Sequence, residues 1–245
     1  MEMYQLSKLK KVPSLTHGFS EAKDGNMSSN WGEREQVLKN RKKFLSSLGI
    51  RPEDSVAMFL EHGMDIALIG ESSKGQEALA VDCLITKSKN VFLFVLTADC
   101  LPVVFYDASR KLLGLAHVSR INTPLMFVRK IIERFQKEGS RPEDIVVAIG
   151  PGVRRESYVF DRDELAKRIA GDGWKDFLIS LPDGKTGIDL VGYNIHQLIS
   201  AGVLRENIEV ADVDTITDEN FLSHYRSGFT GEPEGRMATV VGIAN

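Results

Sequence analysis

Apolar residues recur along this chain with two periods. A helical period runs through Gln36 to Leu48, where Val37, Leu38, Phe44, Leu45 and Leu48 share a face and Gly49 follows as a C-cap. It recurs in Met126, Phe127, Ile131, Ile132 and Phe135, closed by Gly139, with Thr123 placed as N-cap and Pro124 at the first helical position. Asp161 to Ile169 reads as another helix. Asp189 caps a further one, with Leu190, Ile195, Leu198 and Ile199 on its apolar face. Short unbroken apolar runs mark buried strands: Val91–Leu96, Pro102–Tyr106, Leu112–Val118 and Met237–Ile243. Val12 to Phe19 also reads as a strand. Asp24 to Asn30, Gly171 to Gly173 and Pro182 to Gly187 read as loops or turns.

One local pattern is used three times. Gly49-Ile50-Arg51-Pro52-Glu53-Asp54 leads into Val56–Leu60, and Gly139-Ser140-Arg141-Pro142-Glu143-Asp144 leads into Ile145–Ile149. Gly202-Val203-Leu204-Arg205-Glu206-Asn207 leads more loosely into Ile208–Val213. Each predicts a helix ending at glycine, a tight turn and a strand. The separations are unequal, so this is a repeated joint of an α/β domain and not a solenoid. The strands after the joints end in Glu61-His62-Gly63, Gly150-Pro151-Gly152 and Asp212 to Thr215, and strand ends of this kind gather ligands in layered α/β folds.

Composition narrows the class. The 245 residues, 42% hydrophobic and 27% charged, suit a globular chain, and no linker divides it. No apolar run approaches the ~20 residues of a membrane span, and Met1 to Pro13 lacks the apolar centre of a secretory signal. A net charge of −3 without a polybasic stretch argues against nucleic acid as partner. Two cysteines, Cys83 and Cys100, point to a reducing cytoplasm, with a disulfide between them the minor alternative.

The candidate chemistry centres on Thr97-Ala98-Asp99-Cys100-Leu101-Pro102, a polar island between two buried strands. His62 precedes it and His117 follows. Together Cys100, His62 and His117 form a donor set suited to zinc or copper, with a fourth position left open for water or substrate. The spacings are long and match no local motif. The residues alone leave open a small buried cysteine and two unrelated histidines. His17, His196 and His224 read as surface or packing residues. Asp99 either orients a ligand histidine or simply ends a strand. Gly150-Pro151-Gly152 reads as a turn or an anion-binding backbone. Arg154, Arg155, Arg226 and Arg236 read as anion contacts or solvated side chains.

Several strings occur in a familiar order: Leu60-Glu61-His62-Gly63, Asp82 to Thr86, Thr97 to Val103, His117, Gly150-Pro151 followed by Tyr158, and Phe221 to Arg226 with Gly235-Arg236. In these the chain resembles the laccase-domain family, also called multicopper polyphenol oxidases and now usually described as purine nucleoside phosphorylases. The likeness runs from about His17 to the C-terminus. It implies an α/β (α+β) fold, a single domain over residues 1–245 with mixed β-sheets packed together and flanking helices. It implies zinc, with copper as the alternative, on His62, Cys100 and His117, which also become the catalytic residues. It places Arg120, Tyr158 and Arg226 at phosphate or substrate. The implied partners are a purine nucleoside and phosphate, for a cytoplasmic monomer or homodimer.

The implied activity is zinc-dependent phosphorolysis of purine nucleosides, methylthioadenosine included, with deamination of adenosine beside it. Copper-dependent phenol oxidation, peptidoglycan-editing amidase activity and metal binding with reduced catalysis are the other readings. Five histidines and two cysteines are thin for a multicopper oxidase. The chain also departs from the family. Where the usual string is His-Ala-Gly-Trp-Arg-Gly-Thr, it has His117-Val118-Ser119-Arg120-Ile121-Asn122-Thr123. The arginine comes one position early, which in a strand would turn it to the opposite face; only a loop would let it reach the site. Ser-Tyr-Arg-Arg appears as Ser223-His224-Tyr225-Arg226, with one arginine lost, and the usual Cys-Thr as Asp214-Thr215.

Overall fold

A computed structural model describes residues 3–169 and 172–244. Its strands, in chain order, are β1 Leu15–Phe19, β2 Ser55–Phe59, β3 Ile66–Ile69, β4 Glu77–Leu79, β5 Cys83–Thr86, β6 Phe92–Thr97, β7 Leu101–Asp107, β8 Leu112–Val118, β9 Val146–Ile149, β10 Val159–Phe160, β11 Leu178–Ser180, β12 Thr186–Ile188, β13 Ile208–Val210 and β14 Met237–Ile243. The helices are α1 Ser7–Lys10, α2 Arg34–Ser47, α3 Phe127–Lys137, α4 Arg162–Arg168, α5 Leu190–Ser200 and α6 His224–Thr230. No helix among the described residues is long and apolar enough to cross a membrane.

Two mixed sheets face each other. One has the order β1-β14-β6-β2-β4 and the other β13-β9-β7-β8-β5-β3; a small antiparallel sheet, β10-β12-β11, pairs with neither but shares the core of the second through Phe160 and Ile188. Alternation along β7 and β8 explains the layering. Val103, Phe105, Leu112 and Ala116 point to α3 and α5, where they meet Ile131, Ile132, Phe135 and Leu198. Val104, Tyr106, Leu113 and Leu115 point the other way, onto Val56, Leu93, Val95 and Val241 of the five-stranded sheet. Phe92, Phe94 and Val240, on the far side of that sheet, are covered by Phe44 and Leu45 of α2. The result is helix, sheet, sheet, helix. Strands buried on both faces need apolar residues at nearly every position, which is why β7 and β8 appear as near-continuous apolar runs, with Asp107 and His117 as the exceptions.

The repeated joint holds in three dimensions. Gly49, Gly139 and Gly202 have φ of +71°, +95° and +97°, a region open to glycine and costly to residues with a Cβ. Each is followed by one 3-10 turn, Pro52–Asp54, Pro142–Asp144 and Arg205–Asn207, leading into β2, β9 and β13. The start of α3 departs from the expectation. Thr123 does not cap it: its hydroxyl donates to the Ser119 carbonyl at 2.7 Å. Residues 120–126 form turns, Met126 takes φ 62°, and the helix begins at Phe127. The turn expected at Gly171 to Gly173 begins outside the described residues, and Asp172–Phe177 is a 3-10 helix. Cys83 and Cys100 are both free thiols.

His17 on β1 is 1% exposed. Its Nε2 accepts the Leu6 N–H at 3.0 Å, a bond only the neutral ring can make. Burial, with the nearby Lys10 charge, holds the imidazole down to about 4. The unfolded chain therefore takes up this proton first. Stability from a neutral His17 is complete above about pH 6.5 and is lost as pH falls through 4, a difference of ~3 kcal/mol. Urea unfolding at pH 7 and pH 4.5 should show this loss, and His17→Gln should flatten it. An unchanged pH dependence in the variant would assign the acid sensitivity elsewhere.

Candidate metal centre

The same alternation that fills the core aims the candidate ligands. His117 lies on β8 in phase with Leu113 and Leu115, so it points into the layer between the large sheets. Pro102 is its cross-strand partner on β7, and Cys100 lies two residues before Pro102, in the bend that precedes the strand. His62 arrives from the opposite sheet, three residues beyond the end of β2. Nitrogen and sulfur donors of His62, Cys100 and His117 all lie within 4.8 Å of one another. The two imidazole rings stand 4.9 Å apart and almost perpendicular. His62 is exposed, Cys100 half-buried and His117 buried. His62 takes φ 57° and Asp99 φ 81°, so two residues with a Cβ adopt disfavoured backbone within one site.

Asp82 orients His117. Its Oδ1 lies 2.8 Å from His117 Nδ1, and Oδ2 accepts the N–H of Gly63 at 2.7 Å and of Glu61 at 3.4 Å. Burial pushes the Asp82 carboxyl up, but the bond and charge of His117, with these backbone donors, outweigh it and lower it. An ionised carboxylate only accepts, so His117 carries its proton on Nδ1 and presents Nε2 toward Cys100. Burial likewise pushes the Cys100 thiol up. The His117 charge and hydrogen bonds from His117 and His62 overcome this and bring it down to about 6. Against its own burial, His117 is raised to about 9 by Cys100 and Asp82.

Asp99 does not touch a ligand histidine, as one of its two sequence readings would have it. Its Oδ1 accepts the Thr215 hydroxyl and its Oδ2 the Tyr225 N–H, each at 2.7 Å. It thereby ties the start of α6 to the Cys100 segment. Burial pushes its carboxyl up while these bonds pull it down, and the net shift is upward. Orienting the histidine falls instead to Asp82, which no periodicity in the sequence singles out. The Gly150-Pro151-Gly152 segment is a packed turn: Gly150 N donates to Pro102 O at 2.8 Å and Val153 N to Asp99 O at 3.0 Å.

A cavity of about 460 Å³ opens over His62 and Cys100, within the usual size of a small-molecule site. Arg120 and Tyr158 line it. The stretch after β8 is a loop, so the early arginine does reach the cavity. Its Nε is buried without a hydrogen-bond partner among the described residues, and its charge lies near enough to the Tyr158 phenol to oppose the rise that burial imposes there. Burial raises the Tyr158 phenol. Arg226 is elsewhere. Its guanidinium donates to the carbonyls of Thr215, Ile216, Asp218 and Phe221 and to Glu232, so it braces the chain before α6 and offers nothing to a substrate. Arg154, Arg155 and Arg236 are also committed, to backbone carbonyls or to neighbouring carboxylates. Two cavity residues carry no sequence signal for the role: Arg168, paired with Glu164 at 2.6 Å, and His224, read as a surface residue but lining the cavity mouth beside Glu234.

A family model described as multi-copper polyphenol oxidoreductase laccase matches residues 15–244. The chain belongs to this laccase family. A purine nucleoside phosphorylase, YlmD of Geobacillus stearothermophilus, is 32% identical over 250 residues, covering 94% of this chain and 89% of the relative. An adenosine deaminase, RL5, from an unknown prokaryotic organism is 29% identical over 182 residues, covering 71% and 70%. The crystal structure of YlmD from Geobacillus stearothermophilus superposes with a TM-score of 0.88 and 26% identity, covering 99% of both chains. Whether this laccase-family site suits an ion can be tested on its own donors. Ligands at about 2.0–2.3 Å around a tetrahedral ion stand roughly 3.3–3.8 Å apart. A spread of 4.8 Å closes to this with about an ångström of side-chain movement, and the exposed His62 is free to supply it. One thiolate and two imidazoles, one of them oriented by a carboxylate, fit a borderline ion.

Proposed function

We propose that this chain is a zinc-dependent enzyme that splits purine nucleosides with phosphate, with His62, Cys100 and His117 as metal ligands and catalytic residues. The observation that carries the reading is the convergence of these donors beside a cavity of about 460 Å³ that His62 and Cys100 line together with Arg120, which has an unpartnered buried nitrogen. The relatives named purine nucleoside phosphorylase support the substrate class.

Zinc held by these ligands would supply a Lewis acid beside the cavity. The chain's own residues do the rest. Asp82 fixes the His117 ring and its proton. Arg120 holds phosphate by charge-assisted hydrogen bonds, with Tyr158 lining the same cavity. Tyr225 and Phe229, edge-on at 4.8 Å, flank the mouth where a purine can lie. Phosphate held against C1′ while the base departs gains most from positioning. Methylthioadenosine falls within the same class. The relative named adenosine deaminase favours a second reaction at the same site, hydrolytic loss of the purine amino group.

The test is phosphate-dependent release of base from adenosine, inosine and methylthioadenosine by zinc-loaded protein, beside ammonia release from adenosine. Absence of both would end the reading. Arg120→Ala should raise the KM for phosphate about tenfold or more, the loss of a hydrogen bond to a charged group, and leave the nucleoside KM within about twofold. Equal effects on both would remove Arg120 from the phosphate.

A further inference from the structure

His62 lies in the connection from β2 to β3, outside both large sheets, and the ladder from β3 through β5 to β8 reaches toward it only as far as Asp65, whose carbonyl accepts the Asp82 N–H at 3.1 Å. Something beyond strand pairing must hold the His62 turn against His117. The need is sharper because His62 sits at φ 57°, a conformation that a residue with a Cβ leaves unless its surroundings enforce it.

The side chain of Asn122 bridges the gap. It is fully buried. Its Nδ2 donates to Gly63 O at 3.1 Å and to His117 O at 3.0 Å, and its Oδ1 accepts the Ser119 N–H at 2.8 Å. Both amide protons and the amide oxygen are therefore engaged, and the flip is unambiguous: two carbonyls face the NH2 and one N–H faces the oxygen. Gly63 is also held at its N–H by Asp82 Oδ2, while Oδ1 of the same carboxylate meets His117 Nδ1. Asp82 and Asn122 thus grip the residue after His62 from its two ends, and each also grips His117. A glycine, which the family string resembled here carries at this position, has no side chain with which to do this.

We infer that Asn122 is a positioning residue for the donor set, holding the left-handed His62 turn against the His117 strand so that the metal site is preorganised. The inference rests on the metal reading above. Loss of such a supporting partner typically weakens metal affinity about 10- to 100-fold.

Cobalt(II) is the probe, titrated into metal-free full-length protein against a competing chelator, with its absorption spectrum recorded well below the melting temperature. Asn122→Ala should bind cobalt about 10- to 100-fold more weakly and show altered d–d bands, because His62 no longer arrives in register. The sulfur-to-cobalt charge-transfer band from Cys100 should persist. Asn194→Ala is the control. Asn194 donates to Thr123 Oγ1 at 3.0 Å and to Leu190 O at 2.8 Å, in the same buried layer but with no bond to the His62 turn. It should lower the melting temperature and leave affinity and spectrum as in the parent. If Asn122→Ala does not fold, Asn122→Ser, whose hydroxyl serves one carbonyl at a time, should show a smaller loss in the same direction. Parental affinity and spectrum in Asn122→Ala or Asn122→Ser would overturn the inference, as would an equal loss in Asn194→Ala. A parent that binds no cobalt would end the metal reading and this inference with it; a parent that binds beside an unchanged variant would end the inference alone.

Discussion

Cys100→Ala is expected to abolish phosphate-dependent base release, by about a thousandfold or more, because it removes the anionic donor from the centre of the proposed site. The physical basis is the balance at the sulfur. Burial opposes a thiolate, yet His117 and His62 bring the Cys100 thiol down to about 6. Near neutral pH the sulfur is thus a thiolate paired with the charged His117 ring, itself raised to about 9, so an ion that binds displaces one proton from the imidazole and none from the sulfur. Serine keeps the size but not the acidity, so Cys100→Ser should fail as fully as alanine. Zinc content separates two roles. If Cys100 is a ligand, stoichiometric zinc disappears together with turnover. If it acts only as a nucleophile, zinc stays while turnover stops. A Cys100→Ala protein that still releases base at the parental rate would remove this residue from the chemistry altogether.

The fold was most legible where burial is complete. β7, β8 and β14 are covered on both faces, so nearly every position is apolar, with Asp107, His117 and Thr239 the exceptions, and the runs Pro102–Tyr106, Leu112–Val118 and Met237–Ile243 announce them. The joints were legible because glycine, with proline and a turn carboxylate in the first two, imposes local geometry whatever packs on it; the third keeps only the glycine and a polar turn. Edge strands were not. In β3 no residue is buried, and Leu68 is 48% exposed, so no pattern separates Ile66–Ile69 from a loop. The strands β10 to β12 have two or three residues each, too few for a period to appear.

The ligand trio was named from the donor chemistry of His62, Cys100 and His117, and the family string strengthened it against the alternative of a buried cysteine and two unrelated histidines; strand pairing sets His117 opposite Pro102, two residues from Cys100. Its supports were harder to see. Asp82 and Asn122 act through groups distant in sequence, Gly63 and His117, and only tertiary structure brings these together. Arg226 illustrates the reverse error. It matches a motif, yet four carbonyls consume its guanidinium, a fate that no string of residue names records. Arg120 breaks the motif, but the loop after β8 carries it to the cavity.

Asp82→Asn is expected to weaken zinc binding about 10- to 100-fold, nearly as much as Asp82→Ala, although asparagine has the same shape. The carboxylate serves three donors at once: the His117 Nδ1–H through Oδ1, and the N–H groups of Gly63 and Glu61 through Oδ2. An amide has only one accepting atom. With its oxygen toward His117, its NH2 confronts the two backbone N–H groups, and the His62 turn loses its anchor. Rotated the other way, the NH2 faces His117 Nδ1, which must then give up its proton. The proton moves to Nε2 and closes the nitrogen that would meet the ion. Neither rotamer satisfies both sides, and a buried donor left without a partner costs roughly 1–3 kcal/mol. Zinc competition against a chromophoric chelator measures the first loss, and the urea midpoint measures the second. Parental zinc affinity in Asp82→Asn would mean that His117 is held by packing alone. A fall in both, with Asp82→Ala no worse, would mean that the centre depends on a carboxylate accepting at both oxygens, a requirement that no residue of the same shape can meet.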